Sequence, residues 1–165
     1  MNKGALVLLL VLVLALSLGA FAFQNEPEGF RGLKWGDPPT EDMEYFTTAL
    51  GTEAYTLSED KMHLGNVPLR LIAYSFYEER FMTVTLFFNK EERYDLLKSI
   101  CLERYEEPTD EGFYELTWTG QTSSLFLTYD WADEDGCLSM GSTKISMEYE
   151  KSQREKEAEK AAGDW

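Results

Sequence analysis

Two runs of strict alternation, separated by a pair of glutamates, constrain this chain more than any other feature. Ile72, Tyr74 and Phe76 recur at every second residue between Leu69 and Tyr77. After Glu78-Glu79 the same pattern resumes at Met82, Val84, Leu86 and Phe88. A period of two puts apolar groups on one strand face, and two such runs joined by a tight turn predict an antiparallel hairpin. A hairpin with an apolar face is not stable alone, so further strands or helices must cover it. The sequence offers them at Tyr114/Leu116/Trp118, Leu125/Leu127/Tyr129/Trp131 and Ile145/Met147/Tyr149, with a weaker segment at Leu138 to Met140. Tyr55 to Leu57 and Met62 to Leu64 flank a Ser58 to Lys61 turn and read as a short hairpin.

Two helices are expected among these strands. Asp37-Pro38-Pro39-Thr40 carries helix-start chemistry, with Glu41 and Asp42 near the positive helix end. Met43, Phe46 and Leu50 then share one helical face, and Gly51 suits the C-terminal cap. Asn89 is expected to cap the second helix, with Glu92 as its capping-box partner. Its inward stripe is Tyr94, Leu97, Cys101 and Tyr105, widened by Ile100, and Pro108 ends it. The expected class is α+β: an antiparallel sheet of about six to eight strands with two helices on one face, built as two α-then-β units. Residues 30–150 form this single domain, 23–29 a flexible lead-in, and 151–165 a charged tail, helical or disordered.

Lys3, the Leu/Val/Ala run from Ala5 to Leu18 and Ala20-Phe21-Ala22 stand in the order of a cleavable signal peptide over residues 1–22. The expected address is periplasmic or secreted, with no stable membrane insertion after cleavage. Thirty acidic against fifteen basic residues give a net charge of −15. Such a polyanion is repelled by phosphate backbones, so nucleic acid is not an expected partner.

Catalytic motifs are missing. There is no G-x-S-x-G, H-E-x-x-H or C-x-x-C, and the single histidine, His63, has no sequential nucleophile or acid to work with. The chain is therefore read as non-enzymatic, with no cofactor beyond weakly held calcium. The calcium candidate is the acidic stretch 130–136, with Asp130, Asp133 and Asp135 as ligands. Aligning Gly136 with the invariant glycine of an EF-hand loop leaves Trp131 and Ser142 at the first and last ligand positions, where neither serves. Cys101 and Cys137 are expected to form a disulfide in an oxidising compartment, or else to be two buried thiols. Phe81, Phe87, Phe113 and Phe126 fall on the alternate face of their strands, and Phe81, Phe87 and Phe126 are taken as a candidate binding surface.

The segment Phe30-Arg31-Gly32-Leu33-Lys34-Trp35-Gly36 resembles the F-x-G-[IL]-x-W-G opening of a group of uncharacterised secreted bacterial proteins. That resemblance implies a bacterial source and a periplasmic address, and brings no assigned activity. The helix–strand order is similar in outline to the α/β modules of small envelope-assembly lipoproteins and β-lactamase-inhibitor proteins. The functional expectation is an exported protein that binds another envelope or periplasmic protein. The alternatives are a small-ligand or calcium-binding module using residues 130–136 and, behind it, a hydrolase working through two carboxylates.

Overall fold

The computed structural model describes residues 23–163. Its strands are β1 (Gly29–Phe30), β2 (Leu33–Lys34), β3 (Met43–Ala49), β4 (Thr52–Leu57), β5 (His63–Leu64), β6 (Val67–Pro68), β7 (Leu71–Tyr77) and β8 (Arg80–Asn89). Helix α1 (Glu91–Tyr105) follows, then β9 (Asp110–Gly112), β10 (Glu115–Thr119), β11 (Ser123–Asp130), β12 (Asp135–Ser142) and helix α2 (Thr143–Gly163). Eight strands form one antiparallel sheet in the order β3-β4-β7-β8-β12-β11-β10-β9, while β1–β2 and β5–β6 are separate two-stranded ribbons. The α+β class with a large antiparallel sheet and two helices is thus as the alternation implies, and the long hairpin is β7–β8.

The positions of the helices are not. Residues 43–49, expected to be helical, form strand β3, which pairs with β4 across a turn at Leu50-Gly51. Both turn residues have positive φ, 52° and 84°, as the two-residue hairpin turn that matches strand twist demands. Conversely, residues 145–149, expected to be a strand, open helix α2. Ile145 and Tyr149 are four apart and share a helix face against Tyr77 and Met82. Met147, which completed the apparent alternation, is left in solvent. The Ser142 hydroxyl accepts the Ile145 N–H at 3.3 Å and starts the helix. Helix α1 is where its stripe places it, with Tyr94, Leu97, Cys101 and Tyr105 buried. Its N-cap, however, is Lys90 with no side-chain cap, and Asn89 instead accepts a hydrogen bond from Arg93.

The two helices lie on opposite faces of the sheet rather than together. The cause is a break in register between Ser75 and Phe76, where Phe76 pairs with Phe81 while Ser75 pairs with Thr83. Met82 is the extra residue of this bulge, so the phase of β8 changes there. Phe81 joins Val84, Leu86 and Phe88 in the main core with α1. Met82 turns to the opposite face and, with Tyr77, receives Ile145 of α2. The α-then-β repeat dissolves accordingly, since among the described residues no helix precedes the first strands.

The residues taken as a flexible lead-in also pack. Phe23 is buried and meets Tyr105 edge-on, with ring centres 5.2 Å apart. Cys101 lies on the α1 face of the sheet, beside Leu138 and Met140. Cys137, adjacent to Leu138 on β12, points to the other face with Ser139. Both are free thiols, and the sheet stands between them, so the expected disulfide does not form within this chain.

Two stability outcomes follow from these placements. Phe81→Ala is expected to cost about 3–5 kcal/mol in urea unfolding, as for a buried aromatic, whereas Phe126→Ala costs no more than about 1 kcal/mol. The β7–β8 turn places Glu78 and Glu79 at φ 51° and 58°, where an Asn-Gly pair is favoured. Replacing both by Asn-Gly is expected to raise the urea midpoint, by about 1 kcal/mol of stability.

Candidate functional site

The FRGLKWG segment folds as a strap across the α1 face. Arg31 and Gly32, at φ 51° and 90°, turn β1 back into β2. Trp35 lays its ring on Phe81 with centres 4.8 Å apart and donates its indole N–H to the Pro27 carbonyl at 2.6 Å. Beyond it, the Gly36 N–H bonds to the Phe81 carbonyl at 2.9 Å and the Phe81 N–H to the Asp37 carbonyl at 2.7 Å, sewing the strap to β8.

Arg31 is the strap's polar centre. Its guanidinium lies 5.0 Å from the centre of the Phe30 ring, ion-pairs with Asp60 and donates to the His63 carbonyl at 2.6 Å. The Asp60 side chain is only 6% exposed, and its second oxygen accepts the Tyr74 hydroxyl at 2.7 Å. Burial and this bond to Asp60 push the Tyr74 phenol well above its usual range. Arg31 stands between two hollows. One, of about 420 Å³, is bordered by Asp42, Leu57, Ser58, Glu59, Lys61 and Tyr74. The other, of about 250 Å³, runs between the strap, α1 and β12. A buried charge is tolerable only when paired and hydrogen-bonded, and here every partner is supplied internally. The cluster holds the strap and the 58–64 loop to the sheet. It leaves no activated nucleophile: the Tyr74 proton is held more tightly, and burial pushes the Cys101 thiol up to about 12. His63 is exposed, with Nδ1 2.9 Å from the Gly65 carbonyl oxygen.

A second latch lies at Glu26. Its carboxylate is met by the backbone N–H groups of Gln121, Thr122 and Ser123 at 3.0, 2.7 and 2.9 Å and by the Thr122 hydroxyl at 2.6 Å. Burial alone would raise its pKa. The Thr122 hydroxyl and the three N–H donors outweigh burial and hold the carboxyl at about 2. The N-terminal segment is thereby pinned to the β10–β11 turn.

Of the residues singled out from sequence, Phe81 is fully buried in the main core and is no surface residue. Phe87 and Phe126 do share the sheet face opposite α1, half-buried, with β12 between them. The three aspartates do not act together, and Asp133 is exposed. Asp130 accepts the Ala132 N–H at 2.8 Å within its own turn, and Asp135 pairs with Arg70. No group of three metal-ligating side chains comes together among the described residues. Gly136, aligned above with an EF-hand glycine, sits in β12 opposite Phe88, whose ring would lie 2.4 Å from an added Cβ. Close packing explains that glycine. The leader expected over residues 1–22 falls outside the described residues.

One feature escaped the sequence reading. The β3–β4 hairpin stands at the sheet edge, with only Glu53, Ala54 and Tyr55 paired to β7. Tyr45, Phe46 and Leu50 are 60%, 54% and 82% exposed along it. A register break at Phe46 takes that residue out of the ladder. The β-branched Thr47-Thr48 and the Leu50-Gly51 turn were the available signals, masked by the accidental helical spacing of Met43, Phe46 and Leu50.

No family model, curated protein or solved structure matches this chain.

The Glu26 latch has a defined pH response. A carboxyl depressed from 4.5 to about 2 stabilises fully above the higher value, and that stabilisation is lost as pH falls toward the lower one. The protection of the Thr122 and Ser123 amides, measured as exchange rate relative to the intrinsic rate at each pH, is expected to fall between these values. Glu26→Gln is expected to show the lowered protection already at pH 7.

Proposed function

We propose that this is an exported, non-enzymatic protein that binds another protein through the β3–β4 arm. The observation that carries this reading is the concentration of Tyr45, Phe46 and Leu50, all exposed, on one hairpin at the sheet edge. Aromatic side chains dominate protein interfaces because they bury much area at little entropic cost. Bulges at sheet edges re-aim side chains and interrupt strand pairing, so the arm offers aromatics more than a free backbone ladder. Glu41, Asp42 and Glu44 border the aromatic pair and are exposed. The fitting partner therefore presents an apolar groove with a basic rim. Export rests on the leader-like residues 1–22. The sheet face carrying Phe87 and Phe126 is the weaker surface, because Thr and Ser side chains separate its apolar groups.

Photo-crosslinkers placed at Tyr45, Phe46 and Leu50 in the native host test this reading, with Phe113 as an exposed aromatic control. One heterologous adduct common to the three arm positions, missing at Phe113 and weakened by salt, is the expected result. An adduct of twice the chain mass would assign the arm to self-association. No adduct, or the same adduct at Phe113, would end the arm reading.

A further inference from the structure

The smaller hollow beside Arg31 is walled by residues from separate parts of the chain. Phe30 of the strap, Leu64, Ile100 of α1, and Leu138 and Met140 of β12 supply an apolar wall. Its volume, about 250 Å³, is far more than the packing defects of an ordinary core. Cys101 contributes a thiol that is 1% exposed and kept protonated by burial, so it acts as another apolar group. The charge at this hollow is of one sign only: its two charged lining residues are Arg31 and Arg104.

These two arginines differ in what they hold. Arg31 is committed to Asp60. Arg104 has its guanidinium 5.5 Å from the centre of the Tyr105 ring, another lining residue, which sets it at the rim. Arg31, Arg70, Arg80 and Arg154 each pair with a carboxylate, and Arg93 donates to the Asn89 side-chain carbonyl instead. Arg104 pairs with none among the described residues, even though Glu103, Glu106 and Glu107 are its chain neighbours. In a chain of net charge −15, an exposed arginine left free at the mouth of an apolar hollow is a specific feature.

We propose that this hollow binds the tail of a straight-chain carboxylate, with the carboxylate on Arg104. A methylene occupies about the volume of a liquid water, ~30 Å³, so the space takes a chain of roughly eight carbons. The same volume is too small for the two chains of a membrane lipid. An apolar cavity with one or two convergent polar groups is the usual form of such a site. The guanidinium selects a carboxylate over an amine, and the apolar wall sets the length. This site is separate from the β3–β4 arm and does not depend on the proposal made for it.

The test uses the full exported chain with Cys137→Ser, so that Cys101 is the sole thiol, and the probes octanoate, octan-1-ol and octylamine. Octanoate is expected to slow the reaction of Cys101 with dithiodipyridine at least fivefold and to raise the thermal midpoint, while octylamine does neither. Arg104→Glu, an exposed substitution, is expected to weaken octanoate at least tenfold and leave octan-1-ol unchanged. Met140→Trp, which fills the hollow, is expected to abolish both. Equal protection by octylamine would overturn the role of Arg104. No protection of Cys101 and no rise in the thermal midpoint of the unsubstituted chain with octanoate would overturn the site, and the second readout requires no variant to fold.

Discussion

The bulge at Met82 is the constraint on which the rest of the molecule depends. Without the extra residue, a continuous alternation would send Met82, Val84, Leu86 and Phe88 to one face and leave Phe81 on the other. The shift at Ser75/Phe76 puts Phe81 into the α1-side core and releases Met82 to the opposite side. One inserted residue thus gives the sheet two apolar patches, one on each face, where a regular strand would give one. Each patch then recruits a different part of the chain. Trp35 of the strap docks on Phe81, and Ile145 of α2 docks against Met82 and Tyr77. Arg80, beside the bulge, adds a 2.7 Å ion pair to Glu148 of α2.

Polar contacts then finish what the apolar patches begin. The strap buries Phe30 but has only a two-residue ribbon of its own, too little to hold itself in place. Arg31–Asp60–Tyr74 and the Glu26 latch supply that hold, and they differ in kind. Asp60 is nearly enclosed, so breaking its network by removing one partner would strand a charge. Glu26 is met mainly by backbone N–H groups, so the β10–β11 turn depends on a side chain nearly a hundred residues away in sequence. Residues 23–29 therefore belong to the folded domain.

Alternation and stripe patterns were readable where burial is one-sided, as in β7, β8, β10, β11 and α1. They misled where the apolar set was small. Met43, Phe46 and Leu50 fit a helical face, but Phe46 and Leu50 are solvent-exposed and only Met43 packs on the core, so their spacing does not mark a buried stripe. Ile145, Met147 and Tyr149 fit a strand because positions four apart satisfy both periods. Phe81 was assigned to the outer face because a bulge leaves no mark in the residues themselves. The Arg31–Asp60–Tyr74 cluster joins three segments through tertiary contacts, and no local spacing announces such a meeting. FRGLKWG did stand out, and it proves to be the strap.

Charge also bears on the interface proposed for the exposed arm. Tyr45, Phe46 and Leu50 on a sheet edge are the kind of surface that self-associates when nothing opposes it. Two copies approaching arm to arm would bring Glu41, Asp42 and Glu44 together with their equivalents, on chains that each carry −15. That repulsion acts over about a Debye length, ~8 Å at physiological salt, which spans the rim of such a contact. A basic partner gains from the same acids at the same distance. On the proposed reading of the arm, the acidic excess would disfavour the second copy and favour a cationic surface, while leaving the aromatics uncovered.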